Sequence, residues 1–308
     1  MTQQMTHFLS FVEIRTKLAT VLPFLTALAY VFYTRGTING RATLIYLVSA
    51  LLMDMSITAI NNHVGHREEN KIPHYTQGVG LSIIAIMMAG SAVLGLYLAV
   101  TYGGLTILLV GLLCVIVGFM YSAGPLPISK TLYGEAIAGT FVTTVVMFVV
   151  IWVNDPGFRP LAVFFDGDNW VLQGMVDVIA TLRFLILTLP LAFCAANILL
   201  ANNICDVEED RPHRYTIVHN LGIEKSLWLF ACLYHWAYSF VVLAVVLNIV
   251  PVWALLALLT YLPVQKGTAI FLANQDKETT FPLSVKHFGM LTVMYTVGIG
   301  IGAVVNLF

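Results

Sequence analysis

The sequence predicts an all-α polytopic membrane protein: a bundle of nine transmembrane helices with a polar cavity on the cytoplasmic side, built as a single domain over residues 1–308. Three observations predict it. The 308 residues are 59% hydrophobic and only 10% charged, a balance outside the range of soluble domains. The apolar residues fall into nine runs, each close to the roughly 20 residues that cross a bilayer core. The charged residues collect between the runs, and the basic ones favour one side.

In order, the runs are residues 14–33, 43–62, 79–100, 104–121, 132–153, 182–204, 227–247, 250–271 and 288–307. Pro23 lies inside the first and predicts a kink. The third and fourth meet at residues 101–103, and the seventh and eighth near residues 249–251. Residues 1–13 read as a short polar lead with no cleavable signal sequence. With the N-terminus in the cytoplasm, Arg15, Lys17, Arg67, Lys71, Lys130, Arg211, Arg214, Lys225, Lys266, Lys277 and Lys286 lie inside. Arg35, Arg41, Arg159 and Arg183 lie outside. That asymmetry follows the positive-inside rule, puts the C-terminus outside and predicts a multi-pass protein of the cell membrane.

The inside loops 63–78, 122–131 and 206–225 are charged or rich in Gly and Pro. The long outside loop, 154–180, carries Phe164, Phe165 and Trp170, aromatic residues suited to the membrane interface. Cys114, Cys194, Cys205 and Cys232 fall within the runs without metal-type spacing and read as small apolar fillers. The net charge of −1 gives no reason to expect nucleic acid, and nothing in the chain points to a protein partner.

Chemistry concentrates at residues 201–210, ANNICDVEED. On a helix Asn202, Asp206 and Asp210 fall at i, i+4 and i+8, on one face. Such a face is compatible with a solvated helix end and with a divalent-cation site. At the mouth of a membrane segment two carboxylates are costly without a cation. Oxygen-only ligands suit Mg2+, which takes one or two carboxylates and completes its shell with substrate phosphates. A faint repeat lays Asn61, Gly65 and Glu69 over Asn202, Asp206 and Asp210. Both copies follow an apolar run and open an inside loop, and paired repeats of this kind place binding sites at their interface.

Other residues gather on the same side. Arg67, Lys71 and Arg214 suit the outer oxygens of a diphosphate. Lys225, Lys266, Lys277 and Lys286 read as lipid headgroup contacts. His63, His66 and His74 are compatible with a transition-metal site and with ordinary interfacial histidines; no Cys accompanies them. His7, His213, His219 and His287 also fall in inside segments. Tyr121 and Ser122 end the fourth run before a Gly-Pro turn, where they either close a helix or meet an aromatic substrate. Glu135, inside the fifth run, needs a partner or water.

Three stretches together resemble the UbiA superfamily of intramembrane aromatic prenyltransferases. They are Asn202-Asn203-x-x-Asp206-x-x-x-Asp210, Tyr121-Ser122-Ala123-Gly124-Pro125-Leu126-Pro127 leading to Gly134-Glu135, and Arg214-Tyr215-Thr216 through Leu221-Gly222. Within the superfamily the chain is most similar to the 1,4-dihydroxy-2-naphthoate polyprenyltransferases of menaquinone biosynthesis. The opening Val12-Glu13-Ile14-Arg15-Thr16-Lys17 is similar to the family's first helix. One departure is large. The family's first motif reads Asn-Asp-x-x-Asp-x-x-x-Asp, and here Asn62, Gly65 and Glu69 stand at its three acidic positions.

The resemblance implies an alkylation led by ionisation of a polyprenyl diphosphate. Mg2+ would be held by Asp206 and Asp210 with Asn202, Asn61 and Glu69. The diphosphate would meet Arg67, Lys71, Arg214 and Lys17. An aromatic acceptor, 1,4-dihydroxy-2-naphthoate, would lie by Tyr121 and Ser122, and Asp206, Asp210 and Tyr121 would carry catalysis. Loop 63–78 would act as a lid that keeps water from the allylic cation. Alternatives are a sister enzyme with another acceptor, an ion-coupled transporter, and a non-catalytic prenyl-lipid carrier; the altered first motif favours the last. Transporters place charge near the bilayer midplane, whereas the acidic and basic residues singled out here sit at the ends of the runs.

Overall fold

The computed structural model describes residues 3–68, 75–122, 127–134, 137–166, 171–210 and 214–307. In chain order the α-helices are α1 (Gln3–Phe11), α2 (Leu18–Arg35), α3 (Gly40–Glu68), α4 (Gln77–Leu98), α5 (Gly104–Ser122), α6 (Val142–Asn154), α7 (Val178–Cys205), α8 (Val207–Asp210), α9 (Ile217–Leu221), α10 (Ile223–Val246), α11 (Tyr261–Ala273) and α12 (Phe281–Val305). Among the described residues, eight helical stretches are long and apolar enough to cross a membrane. The architecture is all-helical, as expected, apart from one small hairpin.

The expected third and fourth spans fall within one of the eight, the 46-residue stretch Gln77–Ser122. A π-helical turn, Ala99–Gly103, joins α4 to α5. Gly104 follows at φ +59°, a conformation open to glycine and strained for other residues, so the chain changes direction where the sequence placed a junction.

The chain forms two compact units. The first comprises Met1–Val21, Asn39–Ile128 and Ala162–Gly174, and the second comprises Leu22–Ile38, Ser129–Leu161 and Met175–Phe308. In the first, α3 packs along α4 and also meets α5. The segment read as a polar lead is helical instead: α1 docks through Phe11 and Val12, which are fully buried with Ala59, Ile84 and Met87. Thr6, His7 and Ser10 of α1 are exposed while the apolar residues at its end find this cluster, the pattern of an amphipathic surface helix.

In the second unit α7 is central. It packs against α10, α12, α6 and the π-helical segment Ile137–Phe141. Its buried face carries Ala192, Ala195, Ala196 and Ala201, small residues that let neighbouring backbones approach. Asp177 caps its start by accepting from the Ala180 N–H at 2.9 Å. This anchors the first turn, whose amides have no helical partner.

Two further expectations are corrected. The loop expected outside, 154–180, holds strands β1 (Leu161–Asp166) and β2 (Val171–Val176), paired as a hairpin. Alternating Leu161, Val163 and Phe165 carry that period-2 signal. His287 is not in a loop: α12 begins at Phe281 with Pro282 in its first turn, a favoured position for proline. His287 therefore lies buried inside the span, its ring 5.2 Å from that of Tyr234.

Candidate functional site

The end of α7 carries the second motif. The helix closes at Cys205, yet four-residue backbone bonding continues beyond it. Asp206 N–H donates to Asn202 O (3.0 Å), Asp210 N–H to Asp206 O (2.8 Å) and Arg214 N–H to Asp210 O (2.8 Å). Asn202, Asp206 and Asp210 thus fall on one helical face, and Arg214, past the end of α8, bonds its backbone N–H back to Asp210. Much of the expected loop 206–225 is in fact helical, as α8, α9 and the start of α10.

Their side chains are linked. Asn202 Nδ2 donates to Asp206 Oδ2 at 3.1 Å, and Arg214 Nε lies 3.5 Å from Asp210 Oδ1. Lys277, from the α11–α12 connection, donates its ammonium to Asn202 Oδ1 at 2.6 Å and pairs with Asp206 Oδ2. The sequence reading assigned Lys277 to lipid headgroups; the structure puts it on the motif. Nothing in the local sequence links residues 202–206 to a lysine some seventy positions later.

Asp210 is the more enclosed carboxylate. Its Oδ2 is buried without a hydrogen-bond partner among the described residues. Burial raises its pKa above the usual carboxylate value; Arg214 draws it down and Asp206 pushes it up. Behind the face, His219 ties the turn together. Its Nε2 donates to Val207 O at 3.2 Å. That carbonyl only accepts, so Nδ1 is the acceptor facing Thr216, 3.1 Å from Oγ1. Tyr215 N–H donates to Lys130 O at 3.0 Å. Gly222 closes α9 at φ +80°, which explains a glycine at the end of the Arg214–Gly222 stretch.

The first motif ends α3 in the other unit. Asn61 is exposed there, and α3 continues through Gly65 to Glu68, so the first part of the expected loop 63–78 is helical. The backbone of Arg67 belongs to this last turn. Glu69, Lys71, His74, Glu135 and residues 123–126 of the Gly-Pro turn lie outside the described residues. Asn62, at the family's first acidic position, donates from Nδ2 to Phe11 O at 3.0 Å, satisfying a carbonyl at the C-terminus of α1. Tyr121 and Ser122 form the last turn of α5. Tyr121 is half-buried; Ser122 is buried and donates to Ile57 O at 3.4 Å.

Lys17 is committed elsewhere in the first unit. Its ammonium donates to Asp54 Oδ1 (2.6 Å), Asp54 O (3.2 Å) and Thr58 Oγ1 (2.7 Å), which uses all three of its N–H groups. Thr20 Oγ1 donates to the second carboxylate oxygen of Asp54 at 2.5 Å. The sequence reading passed over Asp54. The signal was present, because a carboxylate inside an apolar span needs a partner.

Among the described residues no three or more His, Cys, Asp and Glu side chains cluster closely enough to form a metal cage. The second motif nevertheless fits a magnesium ion. Oxygens of Asn202 and Asp206 already converge on one cationic group, the Lys277 ammonium, and Asp210 offers an unpartnered oxygen. One or two carboxylates with an amide oxygen are a typical protein share of a Mg2+ shell.

The model of the UbiA prenyltransferase family matches residues 20–288. A 1,4-dihydroxy-2-naphthoate octaprenyltransferase from Bacillus subtilis (strain 168) is 28% identical over 179 residues, 58% of this chain and 50% of that one. The chain therefore spans about half the length of the curated relative it matches. Two solved structures share the fold. That of digeranylgeranylglyceryl phosphate synthase superimposes with a TM-score of 0.64 at 15% identity, covering 98% of this chain and 99% of the other. A UbiA homolog from Archaeoglobus fulgidus bound to DMAPP and Mg2+ superimposes with a TM-score of 0.59 at 13% identity, covering 97% and 99%. With its motif face at the end of α7 and a family match over most of its length, the chain belongs to the UbiA prenyltransferase family.

Proposed function

We propose that the chain transfers a polyprenyl group from a polyprenyl diphosphate to an aromatic acceptor, 1,4-dihydroxy-2-naphthoate, at the cytoplasmic face of a cell membrane. The observation that carries this reading is the helical face of Asn202, Asp206 and Asp210 with Arg214 paired to Asp210, which sets two carboxylates and a guanidinium at a span end. Asp206 and Asp210, with Asn202, hold Mg2+. When bound, Mg2+ neutralises charge developing on the leaving diphosphate. Arg214 offers its guanidinium fork to the diphosphate oxygens. Asn61, Glu69, Arg67 and Lys71 carry the corresponding roles at the end of α3. Tyr121 contacts the acceptor ring, and Ser122 holds the end of α5 beside it. The buried apolar faces keep water from the allylic cation while it waits for the ring. The relative from Bacillus subtilis supports this acceptor, and the Archaeoglobus homolog supports the metal and the diphosphate.

The test is an assay in membranes with a polyprenyl diphosphate, 1,4-dihydroxy-2-naphthoate and Mg2+, the product being identified by mass. A prenylated 1,4-naphthalenediol that vanishes on chelation is expected, the acceptor losing its carboxylate as CO2 and the donor its diphosphate. Product only with a different acceptor would transfer the reading to a sister activity. Asn62 and Gly65 in place of carboxylates favour a second reading, a non-catalytic binder of prenyl lipids. Binding of the diphosphate without product from any acceptor would select it.

A further inference from the structure

The strongest signal beyond this reading is Lys277. Its ammonium contacts Asn202 Oδ1 and Asp206 Oδ2, two of the oxygens that would hold the metal. The α11–α12 connection is built to deliver it. Gln275 Nε2 donates to Phe271 O at 2.7 Å and Leu272 O at 2.8 Å, closing the end of α11. Asp276 Oδ1 accepts from the backbone N–H groups of Glu278 (3.2 Å) and Thr279 (2.7 Å) and from Thr279 Oγ1. Thr280 Oγ1 bonds back to Asn274 O at 2.9 Å. A loop fixed on both sides of residue 277 presents one long side chain with a charged tip. The Phe281 ring lies 5.1 Å from the same tip, a cation–π contact made alongside the ion pair.

Among the described residues each motif carboxylate has a cationic neighbour. Asp206 faces Lys277, and Asp210 faces Arg214. An arriving divalent cation finds both carboxylates already countered. Two cations within one ligand shell repel each other, so one must leave. Arg214 pairs with Asp210 Oδ1, whereas Lys277 occupies both Asn202 Oδ1 and Asp206 Oδ2. Lys277 is held only through its tip and is 43% exposed, so its release leaves no buried charge behind.

We propose that Lys277 is a tethered counter-cation of the second motif, competing with the divalent metal for Asn202 and Asp206 and released when the metal binds. The proposal rests on the reading that Asp206 holds the metal. Purified full-length protein in lipid nanodiscs, without substrate, is titrated with Mn2+, followed by electron paramagnetic resonance and competed with Mg2+. Lys277→Met is expected to bind Mn2+ about fivefold more tightly than the parent, the release expected from an exposed pair. Lys277→Arg, which keeps the charge, is expected to stay near the parent. Metal affinity that is unchanged or weaker in Lys277→Met overturns the proposal, because a lysine that merely braces the loop would give that result. Asp206→Asn separates the two readings. If it abolishes Mn2+ binding and Lys277→Met does not tighten it, only the competition fails. If it leaves Mn2+ binding intact, the metal is not on this face, and both readings fall.

Discussion

Two lysine–aspartate pairs, one in each unit, have similar contacts and opposite consequences. In the first unit Lys17 is 4% exposed, and three acceptors of α3 take its three donors. In the second, Lys277 is 43% exposed and shares Asp206 with Asn202. Asp54 and Asp206 are similarly exposed, at 26% and 22%, so the lysines make the difference: a buried ammonium cannot be released cheaply, because left alone it is a charge without water. An exposed pair contributes little and exchanges readily. The same chemistry therefore serves as a fastener in one unit and as an exchangeable contact in the other, and surroundings rather than residue types decide which.

The largest expected effects test the exchangeable side. Asp206→Ala and Asp210→Ala should each lower prenyl transfer by about a hundredfold or more, the scale of losing a group that stabilises transition-state charge. The protein should still insert and unfold near the parental temperature, since neither side chain closes a core. A variant that keeps a tenth of its activity would move the metal off this face. The fastener gives the next largest effect, and it is read in stability. Asp54→Ala takes the counter-charge from Lys17, leaving its ammonium only the backbone carbonyl of residue 54 and the Thr58 hydroxyl, and should cost about 3 kcal/mol, measured by thermal unfolding in detergent. The double variant Lys17→Met, Asp54→Leu should recover much of that loss, because two apolar side chains of similar size replace the pair. Equal destabilisation in both would mean that Thr20 and Thr58, rather than the charges, hold α3.

What the sequence made legible follows the same division. The spans could be read because lipid demands long apolar helices, and the face of Asn202, Asp206 and Asp210 could be read because helical spacing is local. Lys277 and Asp54 could not be read as partners of residues 206 and 17, since separations of 71 and 37 positions leave no periodic trace. Helix α1 was hidden for a related reason: its polar residues suit a loop, and only the buried pocket around Ala59 and Met87 shows why Phe11 and Val12 end a helix. The hairpin was missed because its aromatic residues were read as interfacial anchors rather than by their alternation.

The altered first motif sets the two smallest predictions. Asn62 donates to Phe11 O, which an aspartate cannot do, since a carboxylate only accepts. Restoring the family residue with Asn62→Asp should therefore cost about 1–2 kcal/mol through the unpaired carbonyl and should not tighten metal binding. A gain in Mn2+ affinity would show that the cap is dispensable and the position still a ligand.

Gly65→Asp is the sharper partner of that test. Gly65 lies within α3, where glycine is a poor helix former, so an aspartate that merely faced water would change stability by only a few tenths of a kcal/mol. The repeat pairs Gly65 with Asp206. If the pairing describes function, Gly65→Asp should preserve or raise Mg2+ affinity at unchanged stability, measured by the Mg2+ concentration that gives half-maximal product. Loss of product at full Mg2+ affinity would carry a different meaning. The glycine would then be needed for a close backbone approach at the end of α3, and its place in the repeat would be coincidence. Because Asn62→Asp is expected to act through folding and Gly65→Asp through metal, the pair separates a motif end that has become structural from one that has merely lost a ligand.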